Sequence, residues 1–312
     1  MQIISGRIDF KLPEDTVVAI GKFDGIHKGH GKILKKMLEY KKAGLKMAVL
    51  TFDVPPASVF YSADRHVLTT NVEKRRIFEE LYVDYLIEFP FDEVTAAIPA
   101  ESFVEDYLIG AMRMKAVVVG EDCSFGYKGL GNADLLRTLG EQYHYDTVVI
   151  KKIWQDNCEI SSTNIRKYIE NSEISRANTM LLYPFFFYGE VVHGRKIGRT
   201  LGMPTINMIP EACKLLPKSG VYFSTVKHMG REYKAITNIG SKPTVSDDGV
   251  ALPVIGVETY IYNFDDEIYG DSLYVSLCEF LRPEKKFESV QALKEQMAKD
   301  IEKGRRWHKK NI

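Results

Sequence analysis

Residues 17–38 read "VVAIGKFDGIHKGHGKILKKML", and this stretch sets the architecture of the first half of the chain. An apolar run, "TVVAIG" (16–21), has the length and composition of a buried strand. After a glycine-studded turn, "HGKILKKMLEYKKAG" (30–44) places apolar residues at helical spacing, and Gly44 sits where a helix-terminating glycine belongs. A continuous apolar strand leading through a short turn into a helix is the opening of a βαβ unit. The turn itself holds His27 and His30, three residues apart, with Lys22 and Lys28 beside them.

The same rhythm continues to about residue 170. Strands are expected at "LKMAVLTF" (45–52), "YLIEF" (85–89), "KAVVVG" (115–120) and "DTVVIKKI" (146–153), with helices at "NVEKRRIFEELY" (71–82) and "AESFVEDYLIGAM" (100–112). Alternation of this kind predicts an α/β domain on a parallel sheet, Rossmann-like in layout. From about 185 the pattern changes to short β-type segments separated by turn residues: "FYGEVVHG", "GVYFSTVKH", "REYKAITNIG", "VIGVETYIYNF" and "DSLYVSLCEFL". These predict an antiparallel β-barrel. A closing helix follows in "FESVQALKEQMAKDIEKG", with Phe287, Val290, Leu293, Met297 and Ile301 on one face. The boundary is expected between 175 and 186, which divides the chain into residues 1–182 and 183–312.

Composition narrows the function classes. The chain has 312 residues, 45% hydrophobic and 27% charged, and Lys+Arg equals Asp+Glu at 42 each. That balance gives no electrostatic reason to expect nucleic acid or an acidic membrane as partner. The basic cluster "KGRRWHKK" (303–310) is read as a solvated tail. Cys123, Cys158, Cys213 and Cys278 are far apart with no C-x-x-C pair, which argues against a zinc site or a disulfide framework and fits a reducing, cytoplasmic setting. The N-terminus lacks the apolar core of a signal peptide, and the longest apolar stretch, "MLLYPFFFYG" (180–189), is too short for a bilayer. A monomer or weak oligomer is expected.

Chemistry concentrates in two places. At the histidine turn, "FDG" suits an Asp-Gly turn and Gly29 allows close backbone approach. Both histidines lie by a helix N-terminus, where free N–H groups favour anions. A metal would need a further ligand at suitable spacing, and H-E-x-x-H and H-x-x-E-H are both absent. The histidines therefore read as phosphate-handling groups. In the second half, "VVHGRKIGRTLGMPTIN" (191–207) combines three glycines with basic residues, a composition suited to phosphates. Thr205 and Asn207 follow, two apart on an expected strand, as neutral oxygen ligands of the kind Mg²⁺ accepts beside phosphate.

"GKFDGIHKGH" (21–30) resembles the G-x-F-D-G-x-H-x-G-H signature of the nucleotidyltransferase superfamily. With "LTT" and "EK" (68–74), "VVGED" with "FG" (118–126) and "ISSTNIR" (160–166), it resembles the N-terminal module of the prokaryotic bifunctional riboflavin kinase/FMN adenylyltransferases, the FAD synthetases. "GRTLGMPTIN" (198–207) is similar to that family's riboflavin kinase signature, and "SGVYFSTV", "NIGSKPT", "VETYIYNF", "IYG" and "LRPEKKFES" follow in family order. The resemblance covers nearly the whole chain. It implies ATP- and Mg²⁺-dependent phosphorylation of riboflavin by the C-terminal domain, then adenylylation of FMN to FAD with release of pyrophosphate by the N-terminal domain.

Carried over, His27 and His30 would neutralise charge on the transferring adenylyl group. Gly21, Phe23, Asp24, Gly25 and Gly29 would form the nucleotide turn, and Ser162, Thr163 and Arg166 would hold pyrophosphate. Gly194, Gly198, Arg199, Gly202 and Pro204 would shape the kinase loop, Thr205 and Asn207 would take Mg²⁺, and Glu258 would act as base on the riboflavin 5′-hydroxyl. Helix capping is the plain structural reading of Ser161–Thr163. The chain departs from the family pattern at Val54, Pro55 and Pro56 (family Pro-His-Pro), at Cys123 and Ser124 (aromatic and arginine), at Gly129 (arginine), at "LYPF" (182–185) and at Tyr260 (histidine). Two rival readings follow: a riboflavin kinase with a degenerate first domain, and a flavin-binding regulatory protein.

Overall fold

A computed structural model describes residues 1–54, 66–193, 202–245 and 251–311. Contacts divide it into two compact units, Met1–Asn164 and Ile165–Ile312. No helix of the described residues is long and apolar enough to cross a membrane.

The first unit is built on a six-stranded, wholly parallel sheet of order β1-β4-β3-β2-β5-β6. Its strands are β1 (Gln2–Ser5), β2 (Thr16–Ile20), β3 (Lys46–Phe52), β4 (Tyr85–Phe89), β5 (Met114–Gly120) and β6 (Asp146–Ile150). β2 and β4 are buried at every residue, as expected of strands covered on both faces. Helix α1 (Lys28–Lys42) buries Ile33, Leu34 and Met37 and ends before Gly44 (φ 107°). Helix α2 (Asn71–Glu80) starts on a reciprocal cap between Thr70 and Glu73. Helix α3 begins at Ala100–Ser102 and continues in π geometry over Phe103–Ala111, a winding that apolar periodicity does not encode. Helix α4 (Ala133–Tyr143), capped by Asn132, and the edge strand β1 were not expected from the sequence. β1 is short and largely exposed, so it carries a weak apolar pattern.

A small hairpin, β7 (Trp154–Gln155) with β8 (Cys158–Glu159), precedes helix α5 (Ser162–Glu170), which crosses from the first unit into the second. Helix α6 (Ile174–Met180) follows. The Asn178 amide donates to the Leu277 carbonyl and accepts from Phe185 N, and Ser172 Oγ lies 2.9 Å from Tyr222 Oη. These bonds tie the helices to the sheet of the second unit.

That sheet is antiparallel, of order β10-β13-β12-β11-β14-β9. It comprises β9 (Phe186–Glu190), β10 (Ile206–Met208), β11 (Gly220–His228), β12 (Arg231–Val245), β13 (Ala251–Ile261) and β14 (Ser272–Pro283). Val192 N donates to Asn207 O at 2.8 Å, so the end of β9 meets β10 and the sheet curls into the expected barrel. Inside it, Ser224, Thr237 and Thr259 are wholly buried and linked hydroxyl to hydroxyl at 2.7 and 2.9 Å, which satisfies three polar groups without water.

Helix α7 (Val290–Asn311) corrects the reading of the basic C-terminus. Residues 303–310 are the packed end of a helix and not a solvated tail. Trp307 stacks on Phe223 and donates to Glu279, while buried His308 donates from Nε2 to the Ala235 carbonyl. The lysines and arginines of the cluster are exposed, with Arg305 lying over the Tyr262 ring at 5.7 Å. Earlier in α7, Asp300 takes two bonds from Arg282 at 2.9 and 2.6 Å. Val290, expected on the packed face, is 65% exposed, because the helix only begins there.

Candidate functional site

The first site forms at the β2–α1 turn. β2 lies between β3 and β5, and the chain winds outward from it in both directions. Such a switch point opens a crevice at the strands' carboxyl ends. Phe23 (φ 47°) and Gly25 (φ 79°) give the turn its left-handed backbone. Phe23 is buried, packs edge-on to Phe78 and lies 4.9 Å from the His30 ring. A side chain on Gly21 would crowd that phenyl ring at 3.2 Å. The Asp24 carboxylate accepts from the backbone of Leu68 and Thr69 at 2.7 and 3.1 Å, and Gly25 N donates to Thr69 Oγ1. Asp24 and Gly25 thus brace the turn against the "LTT" segment.

The two histidines stack, with ring centres 3.8 Å apart. His27 is the N-cap of α1: its Nδ1 accepts from Gly29 N at 3.2 Å, and His30 Nδ1 accepts from His27 N at 3.3 Å. Both Nδ1 atoms are committed as acceptors, so each ring carries its proton on Nε2. The pair therefore presents two fixed N–H donors. Gly29 clears room for this arrangement, since a Cβ there would lie 2.9 Å from His27 Nδ1. Loss of hydration lowers the His27 pKa from 6.5 to about 4, opposed by the nearby charges of Asp122 and Glu159. His30 is lowered well below its ordinary value by the same cause, with His27 adding to it. Protonation at Nδ1 would also set an N–H against a backbone N–H, so the geometry and the pKa directions agree.

Ser162 Oγ donates to the Asp24 carbonyl at 2.7 Å, which holds the start of α5 against the histidine turn. Ser161 Oγ accepts from Asn164 N at 3.4 Å, the cap that the residue types implied. Thr163 is exposed in the first turn, and Arg166 is half-buried one turn further on. Cys123 and Ser124 follow β5; burial beside Asp122 pushes the Cys123 thiol up to about 11, so it stays protonated. Asp122 and Glu159 are close enough to His27 to act on it; Asp122 ends the "VVGED" motif, whereas no sequence pattern marks Glu159. Pro55 lies outside the described residues.

The second site lies on the barrel. Register pairs Asn207 of β10 with Glu258 of β13, and Glu258 with Asn238 of β12. Partners across a ladder share a face, so three polar side chains form one row. Thr205 Oγ1 donates to Glu258 Oε1 at 2.7 Å. Two clefts meet at Thr205. One, with ≈ 900 Å³ of empty space, is lined by Pro204, Asn207, Thr259, Phe264, Asp265 and Tyr269 among others. The other, ≈ 940 Å³, runs between the Glu258 face and helix α7, with Ile236, Tyr260, Phe287, Leu293 and Met297 as its apolar walls. Gly202 (φ 76°) makes the turn before Pro204. Gly194, Gly198 and Arg199 lie outside the described residues.

Among the described residues no three His, Cys, Asp or Glu side chains converge as metal ligands. The Thr205 hydroxyl and Asn207 amide, next to the Glu258 carboxylate, are a sparse set of oxygen donors. That set fits a cation which keeps several waters and takes phosphate oxygens.

Comparison with known proteins covers both halves of the chain. A family model for FAD synthetase matches residues 9–164, and one for riboflavin kinase matches residues 181–308. The bifunctional riboflavin kinase/FMN adenylyltransferase of Listeria monocytogenes is 35% identical over 92% of this chain and 90% of its own length. Those of Escherichia coli K12 and Bacillus subtilis are 33% and 31% identical, over 92% and 94% of this chain and 91% and 92% of theirs. A crystal structure described as a macrolide-efflux protein from Streptococcus pneumoniae superposes with a TM-score of 0.82 at 30% identity, covering 98% of this chain and 99% of that one.

Proposed function

The chain belongs to the bifunctional riboflavin kinase/FMN adenylyltransferase family, and on that premise we propose that it performs both steps from riboflavin to FAD. Residues 183–312 phosphorylate riboflavin with ATP and Mg²⁺, and residues 1–182 transfer the adenylyl group of ATP to FMN. The observation that carries the reading is the Thr205–Glu258 bond of 2.7 Å at the meeting point of two clefts. The apolar cleft under α7 suits an isoalloxazine ring, and the cleft with Asn207 suits the nucleotide. Glu258 then stands where a hydroxyl from one side meets a phosphate from the other and can take its proton. Mg²⁺, held by Thr205 and Asn207, would supply charge neutralisation to the transferring phosphate.

In the adenylylation step the two Nε2–H donors bind the phosphate oxygens on which charge grows, and Ser162, Thr163 and Arg166 take the departing pyrophosphate. No covalent enzyme intermediate is required; position and fixed donors carry the step. Purified protein incubated with riboflavin, ATP and Mg²⁺, and separately with FMN, is expected to yield FAD in both tubes when the flavins are separated by chromatography. FMN without FAD would identify a kinase with a degenerate first domain, and no product would favour a flavin-binding regulator.

The histidine geometry makes a second expectation. The rings should remain Nε2-protonated and neutral through pH 6.5, with His27 titrating at about 4 when followed by ¹⁵N NMR. The unfolded chain takes up these protons at its ordinary value, so the folded state loses stability as pH falls from 6.5 toward about 4. A titration midpoint near 6.5 in the folded protein would overturn the fixed-donor assignment.

A further inference from the structure

The hairpin β7–β8 has no role in the two steps above. Its connecting residues, Asp156 (φ 49°) and Asn157 (φ 59°), are both left-handed, the two-residue turn that Asp and Asn tolerate well. The hairpin is held from both sides. Lys28 Nζ, in the first turn of α1, reaches Gln155 Oε1 at 3.5 Å, and the Glu159 carbonyl accepts from Asn164 Nδ2 at 2.9 Å.

Register pairs Trp154 with Glu159, so the indole and that carboxylate share one face. This face belongs to the histidine site. Glu159 pairs with Lys152 at 2.9 Å, Lys152 reaches Asp122 at 3.5 Å, and Asp122 and Glu159 are the two carboxylates whose charge acts on His27. Trp154 is nonetheless 64% exposed. The chain's other tryptophan, Trp307, is stacked and hydrogen-bonded in the second unit. A single exposed apolar residue is ordinary on a protein surface. An indole on a hairpin that contacts Lys28 of the histidine turn and is linked through Lys152 to Asp122 is a different object, because it offers a flat apolar face next to that turn.

The charge on that face limits what can lie there. One lysine, Lys152, serves both Asp122 and Glu159, so these three side chains keep a net negative charge that disfavours phosphate and leaves the neutral, planar end of a substrate as the group that fits. We infer that Trp154 is a stacking platform for the heteroaromatic ring of an adenylylation substrate, adenine or isoalloxazine. This rests on the adenylyltransferase reading of the first unit and adds to it a residue that sets ring affinity without touching the reacting atoms.

Two measurements on the full chain test it. In steady-state FAD formation from FMN, Trp154→Ala is expected to raise the KM of one substrate about tenfold, the scale of a lost base–aromatic stack. Its kcat should stay within about twofold and Trp154→Phe should restore most of the loss, since stacking uses the ring and not the indole N–H. The substrate whose KM moves identifies the ring. Independently, alkylation of Trp154 by a hydroxynitrobenzyl reagent, read from the mass of its peptide, should be slowed by ATP with Mg²⁺ or by FMN.

Unchanged KM values with no protection by either ligand would overturn the inference. A fall in kcat with unchanged KM values, not rescued by phenylalanine, would do so as well and would make Trp154 structural. Should the wild-type chain form no FAD, the adenylyltransferase reading fails on its own. Protection of Trp154 by one ligand would then still support the platform, and its absence would remove it.

Discussion

Replacing Glu258 with glutamine is expected to lower FMN formation from riboflavin by ~10²–10⁴-fold, the usual span for loss of a positioned general base. Glutamine is close in shape and its amide oxygen can still accept from Thr205 Oγ1, whose bond to Glu258 is 2.7 Å. The cleft wall therefore stays in place while the proton acceptor is lost. FAD formation from supplied FMN should be unchanged, because that chemistry uses the histidine site and α5 and not the barrel cleft. The comparison to make is the rate of riboflavin consumption against the rate of FAD formation in one preparation, with the melting temperature as a check on folding. A kinase rate within about threefold of wild type would reduce Glu258 to a hydrogen-bond partner of Thr205.

Removing the imidazole of His27 is expected to have the opposite selectivity. His27 does two things at once: its Nδ1 caps α1, and its Nε2–H points away from the helix as a donor. Alanine removes both. Asparagine keeps a side-chain acceptor for the N-cap, so His27→Asn should hold stability to within about 1 kcal/mol while losing the donor. FAD formation from FMN should then fall by ~10²–10³-fold, as when one preorganised donor is taken from a developing oxyanion. His30→Ala should lose as much activity and more stability. His30 also packs on Phe23 and accepts from the His27 backbone. Riboflavin phosphorylation should proceed normally in all three variants. Full FAD formation by His27→Asn would show that the pair is a capping device only.

Much of this was legible in local sequence. Strand and helix in the first half follow from apolar periodicity, and the change near residue 185 follows from turn residues at short intervals. The two phosphate-type turns stand out because glycine, histidine, serine and threonine occur there in fixed order. The misses have physical causes. α4 carries an Asn132 cap and leucines at 135, 136 and 139, a helical signal that could have been found. The basic run at 303–310 looked like a tail because its charges dominate, yet Gly304 and His308 in the same run are buried.

By itself the sequence determined the parallel and antiparallel sheets, since each depends on neighbours a few positions away, and it marked the candidate residues of two sites. Tertiary structure decided how those residues are placed. The β10–β13 register brings Asn207 opposite Glu258, some fifty positions on, and a slip of one residue would turn one of them to the other face. The tautomer of the histidine pair was set only when the first turn of α1 aimed two backbone N–H groups at the two Nδ1 atoms. Likewise Trp154 meets the charges around His27 only because a two-residue turn folds Glu159 back beside it. Periodicity and turn chemistry act along the chain, whereas ladder register and side-chain convergence act across it, and the second kind of information exists only once the chain has closed on itself.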